Sequence, residues 1–168
     1  MGTGQMMITM GALMLLALVV LRVNNGFFNT SSVLLDSKLG VLATSVATSV
    51  IEEATGKSFD HNTESTSVSD LTLLSSSLGP ETGEIYPDFN DFDDYNGYSG
   101  IDTTMPAADF TVDCIVNYVK DTNLDGESSS RTWHKKITVF VSSPSMLGDD
   151  NIPDTIAMSA VYSYWYFR

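Results

Sequence analysis

The chain has 168 residues, a formal net charge of -13 and a single cysteine. That length suits one domain with an appendage and is too short for two full domains. The charge is lopsided: residues 1–51 carry only Arg22, Asp36 and Lys38, while twelve acidic and no basic residues lie between Lys57 and Lys120. A surface of that sign repels phosphate backbones and argues against a nucleic-acid partner.

The apolar run comes first. Met6 to Leu21 has no charge, no proline and one polar side chain, Thr9. As a helix, Thr3 to Leu21 would extend roughly 28 Å, close to the ~30 Å of a hydrocarbon core. A secretory signal peptide fits poorly, because "MGTGQ" carries no basic residue, Arg22 follows the run, and "LRVNNGFF" offers no small-x-small site.

After "NNG", which reads as a local helix break at Asn24, Asn25 and Gly26, a second helical pattern begins. Leu35, Leu39, Leu42, Val46 and Val50 form one stripe. Asn29, Thr30 or Ser31 would cap its start, and Gly56 with Lys57 would end it. Its other face is Ser37, Thr44, Ser45, Thr48 and Ser49, with no Lys or Glu. A solvated helix face normally carries charge, whereas small uncharged residues suit close helix–helix approach. The alternative is a helix half covered by its own sheet, with this side exposed. Asn29-Thr30-Ser31 also matches a glycosylation sequon.

From Asp60 to Ile101 the periodicity disappears. Tyr86, Phe89, Phe92, Tyr95 and Tyr98 recur at threes and are expected to pin the loop to the domain, with a helical turn near Leu71–Leu78. Three strand-like runs follow: "DFTVDCIVNYVKD", "TWHKKITVFVSS" and "TIAMSAVYSYWYF". Alternation puts Cys114 on one face with Val112, Val116 and Tyr118, as a small buried hydrophobe. Asp125-Gly126 marks a hairpin turn between the first two runs, and Pro144 and Pro153 bracket the second connection. The expectation is an antiparallel three-stranded meander, with room for an added edge strand, against the second half of the helix.

Two acidic stretches are candidate Ca²⁺ sites. "DTNLDGE" supplies Asp121, Asn123 and Asp125 in the order that opens a calcium loop, but Thr132 stands where the bidentate Glu belongs and the flanks read as strands. "DFNDFDDYNGY" crowds Asp88, Asp91, Asp93 and Asp94 near Asn90 and Asn96; such a loop is solvated, or it holds a cation. His61 and His134 are separated and have no Cys or His partner at ligand spacing. With no phosphate-binding glycine loop, nucleophile elbow or Ser–His pairing, the chain does not read as an enzyme.

This α+β arrangement, a long N-terminal helix with an apolar first half, then a loop and a small antiparallel sheet, resembles the type IV pilin superfamily of pilins, minor pilins and pseudopilins. It divides as an apolar segment at 1–26, its amphipathic continuation at 27–56, an acidic loop at 57–106 and a sheet at 107–168. Gly4-Gln5 is similar to the junction cut by the family's processing peptidase, and "NNG" falls where many members carry a helix-breaking Gly or Pro. "DDYNGY" is similar to a loop of minor pilins of the mannose-sensitive haemagglutinin type. A cut after Gly4 would put Thr9, and a start at Met1 would put Gln5, where many members have Glu.

The resemblance implies a structural subunit of an extracellular pilus-like filament. The subunit would be held in the inner membrane before assembly, delivered by pilus assembly machinery, and polymerised with its own copies into a helical homopolymer. Met6, Met7, Met10, Leu13, Met14, Leu16, Leu18 and Leu21 would then lie in the filament core. The alternatives are a membrane-held minor pilin or pseudopilin, or a membrane-anchored Ca²⁺-dependent binding domain.

Overall fold

A computed structural model describes residues 2–147 and 152–164, except for the side chains of residues 28–32; the sequon Asn29-Thr30-Ser31 therefore lies outside the described side chains. One helix, α1 (Thr3–Thr55), leads into a segment with three short 3₁₀ turns (His61–Thr63, Leu71–Leu73, Asp93–Tyr95). Five strands follow: β1 (Ser99–Asp102), β2 (Phe110–Lys120), β3 (Asn123–Glu127), β4 (His134–Leu147) and β5 (Pro153–Ser163). The chain divides into two compact units, residues 1–38 and residues 39–168.

The expected break at Asn24, Asn25 and Gly26 is absent: α1 is helical through all three. Asn and Gly each disfavour a helix interior by about 0.5–1 kcal/mol relative to Ala. That is too little to stop a helix flanked by long runs of Leu, Met and Val. No proline precedes Pro80 to force a stop. The cap expected at Asn29 to Ser31 is superfluous for the same reason.

In the first unit, every described side chain from residue 2 to residue 27 is exposed. Thr3–Phe27 has a mean hydropathy of 2.3, is 0% buried, and is long enough to cross a membrane. In the second unit, Leu39–Thr55 supplies one wall of the core. Leu39, Ala43, Val46, Ala47 and Ala54 are buried, and Leu42, Val50 and Ile51 are partly so. Four of the five residues of the expected stripe thus meet the core, Ala43, Ala47 and Ala54 widen that face, and Leu35 is exposed. The alanines leave volume for Phe92, Tyr95 and Phe110 in the same cluster, as close packing requires.

The sheet is antiparallel in the order β1-β2-β4-β5, with β3 paired to the end of β2. The expected meander is β2-β4-β5, and β1 is the added edge strand. On β2, Phe110, Val112, Cys114, Val116 and Tyr118 face the core; on β4, Lys135, Ile137, Val139 and Val141 do. Cys114 sits 2% exposed among them. Burial, then the charge of Asp113, pushes its thiol up to about 12. Pro144 falls inside β4 and not in the connection: the β4–β5 ladder shifts register after Ser142 and resumes at Leu147↔Pro153. Pro has no N–H to donate to a ladder, so it is tolerated at such an irregularity.

The long segment before β1 is tied down rather than loose. Phe89 packs edge-on against Tyr86, Tyr95 and Tyr98, and Phe92 meets Tyr162 of β5. Gly97 takes a φ of +80°, a turn conformation that glycine adopts without strain. It lets residues 96–98 run alongside β2, with Gly97 N donating to Cys114 O and Cys114 N to Tyr98 O. Asn96 completes the seam: its Oδ1 accepts from Val116 N and its Nδ2 donates to Leu78 O.

Candidate functional site

Two features of the chain are chemically unusual: an ion cluster sealed inside the second unit and an acidic pocket beside it.

The ion cluster is built on Lys135. β-alternation places this residue on the core face of β4, where it is 0% exposed. Its ammonium has three protons and three acceptors: Phe59 O at 2.7 Å, Asp60 Oδ2 at 2.9 Å and Asp93 Oδ1. It also lies 4.5 Å from the centre of the Phe59 ring. Asp60 is equally well satisfied. Its carboxylate accepts from the backbone N–H of Asn62 and Ser75 and from the Ser75 hydroxyl. Burial alone would raise its pKa, but the charge and hydrogen bond of Lys135, then the Ser75 and Asn62 amides, hold it below the ordinary carboxylate value.

The acidic pocket is built by the turn at residues 90–94. Two backbone bonds dock that turn onto the segment leaving α1: Ser58 N donates to Asn90 O, and Phe92 N donates to Ser58 O. Within it, Asp91 and Asp94 brace each other's backbone. Asp91 Oδ1 accepts from Asp93 N and Asp94 N; Asp94 Oδ2 accepts from Asn90 N and Asp91 N. Each aspartate uses one oxygen to fix the turn and leaves the other over.

The remaining oxygens, Asp91 Oδ2 and Asp94 Oδ1, are buried and accept no hydrogen bond from the described residues; Glu81 Oε2 is in the same condition. Ligand atoms of Glu81, Asp91 and Asp94 lie within 4.8 Å of one another. Beside them, Glu84 is already engaged: Oε2 accepts from Glu81 N, and Oε1 from Asn90 Nδ2. His61 Nδ1 stands 3.7 Å from Glu81 Oε2 on the more exposed side. Burial, then Asp93 and Asp94, pushes Asp91 up to about 9. Burial and Glu84 push Glu81 up to about 7, with His61 acting in the opposite direction. Burial also raises Asp94, against the backbone amides that lower it.

The acidic residues singled out from sequence thus separate into four fates. Asp91 and Asp94 converge. Asp93 turns to Lys135 instead, and Asp88 is exposed. Asp121, Asn123 and Asp125 lie in the exposed β2–β3 hairpin, where Asn123 Oδ1 caps Gly126 N and Asp125 is 3.7 Å from Lys136. Glu81, Asp60 and Lys135 were not anticipated. Alternation through Ile137, Val139 and Val141 already puts Lys135 on the core face and so signals a buried acidic partner; nothing in sequence brings Glu81 to Asp91.

Comparison with protein-family models, curated proteins and solved structures returns no match.

Proposed function

We propose that this chain is a structural subunit of an extracellular pilus-like filament of the type IV pilin kind, polymerising through its N-terminal helix. The observation that carries the reading is Thr3–Phe27: a helical segment of mean hydropathy 2.3 that is 0% buried among the described residues. So large an apolar surface needs lipid or other protein around it. Lipid serves the stored subunit. Neighbouring helices serve the polymer, and moving from one apolar surrounding to the other has little hydrophobic cost.

The exposed face of Leu39–Thr55 supports association over simple anchoring. Ser37, Thr44, Ser45 and Ser49 are exposed, and the face carries no charge between Lys38 and Glu52. Three of its hydroxyls are turned back on the helix: Thr44 Oγ1 donates to Gly40 O, Thr48 Oγ1 to Thr44 O, and Ser49 Oγ to Ser45 O. Hydroxyls satisfied in this way leave a small, nearly apolar surface that a second helix covers without stranding a donor. The acidic unit would then face solvent and keep filaments apart by like charge.

Shearing the producing cells, imaging the released material and weighing its proteins by mass spectrometry tests the reading. Fibres whose mass is dominated by this chain are expected. A chain found wholly in the membrane fraction, with no fibres, defeats the proposal, and a trace component of other fibres makes it a minor pilin or pseudopilin.

A further inference from the structure

The three leftover carboxylate oxygens of the acidic pocket have a consequence that does not depend on filament assembly. We propose that Glu81, Asp91 and Asp94 form a binding site for one divalent cation, and that the cation is Ca²⁺.

Asp91 and Asp94 are 0% exposed, yet Asp91 Oδ2 and Asp94 Oδ1 receive no hydrogen bond from the described residues. A buried, unpartnered carboxylate oxygen is expensive, and several facing each other are more so. The nearby cation acts on Asp91 only through space and donates no hydrogen bond to these oxygens, because Lys135 has its three protons engaged with Phe59 O, Asp60 and Asp93. Their second oxygens cannot swing in to share the load, being committed to the amides of residues 90, 91, 93 and 94. The two aspartate oxygens are therefore preorganised and accept no hydrogen bond from the described residues, while Glu81 Oε2 has only His61 Nδ1 at 3.7 Å beside it.

The donor set selects the ion. All three ligands are hard carboxylate oxygens, with no thiolate to favour a soft metal. Ligand atoms within 4.8 Å of one another are close enough to share one ion, and Ca²⁺ accepts such carboxylates in flexible geometry at about 2.3–2.6 Å. Mg²⁺ demands a tighter octahedron at about 2.0–2.1 Å and parts reluctantly with its water. The Glu81 side chain is 35% exposed, so the cluster reaches solvent on that side. The alternative trio of His61, Glu81 and Glu84 is weaker, since both Glu84 oxygens are already hydrogen-bonded. A bound ion would also cross-link the segment around Glu81 to the turn at residues 90–94.

The test uses the full chain in detergent micelles, stripped with EDTA and titrated with CaCl₂ or MgCl₂ by calorimetry and thermal denaturation. One Ca²⁺ per chain is expected, with a dissociation constant on the order of 10⁻⁴–10⁻³ M or tighter, as in extracellular modules. Ca²⁺ should raise the melting temperature and slow proteolysis between Gly79 and Asn90. Glu81→Gln, whose carboxylate does not cap the turn, should keep or raise the ion-free melting temperature, by removing one of the facing charges, and lose affinity by about tenfold or more. Asp125→Asn, in the exposed hairpin, should respond like the parent. The proposal is overturned by no Ca²⁺ heat and no melting shift at millimolar ion, by an undiminished response in Glu81→Gln, or by Mg²⁺ binding as tightly.

Discussion

Lys135 concentrates the stability of the second unit in one side chain. Removing it leaves Asp60 and Asp93 inside the protein without their counter-charge, a situation that typically costs about 3–5 kcal/mol. Lys135→Met is therefore expected to lower the unfolding free energy of the full chain in detergent by that amount, read from urea denaturation, although the apolar stem still fits. Asp60 sets the acid limit. Its carboxyl is held below the ordinary value in the fold, so its contribution is complete above the unfolded value of 3.8 and is lost as pH falls through the lower, folded one. Denaturation followed downward from pH 5 should show this loss, and it should vanish in Asp60→Asn. Cys114 makes the opposite kind of prediction. With its thiol raised to about 12 and buried, it should resist iodoacetamide at pH 8 in the native chain and react on denaturation.

At the scale of elements, strands were easier to read than the helix face. β2 and β4 alternate strictly enough that Val112, Cys114 and Val116 could be assigned to one face from spacing alone. The stripe on α1 is right at Leu39, Leu42, Val46 and Val50 but too narrow, because Ala43 and Ala47, which sequence hydropathy marks weakly, are 0% exposed beside it. The helix break was misjudged because local propensity is weaker than the flanking pattern. The acidic segment was legible in its aromatics, which do anchor it. It was not legible in its carboxylates, whose fates depend on contacts across tens of residues, such as Asp60 with Lys135. Two substitutions separate the faces of α1. Ala43→Leu overpacks the core and should destabilise by about 1–3 kcal/mol in chemical denaturation. Ser45→Lys, on the exposed face, should change stability by no more than about 0.5 kcal/mol. On the filament reading it should nevertheless abolish fibres, because it introduces a charge where a neighbouring helix must pack.

At the scale of the molecule, the chain keeps its apolar and acidic parts apart. The core is confined to residues 39–168, and residues 2–27 contribute nothing to it. A fragment of residues 39–168 is expected to be monomeric, water-soluble and cooperatively folded. Its melting temperature should lie within a few degrees of the full chain's in detergent, as followed by circular dichroism. A fragment that is unfolded would show that the apolar segment is needed for the fold itself.

The unbroken helix at Asn24, Asn25 and Gly26 has a mechanical meaning as well. These residues hold their helical form through their neighbours rather than by preference, so among the described residues of α1 they give way early under axial tension. Drawn from a rise of about 1.5 Å per residue to one of about 3.4 Å, three residues lengthen the chain by roughly 6 Å. Repeated along a polymer, that yield point would act as a spring, letting a fibre stretch before any subunit had to leave its neighbours.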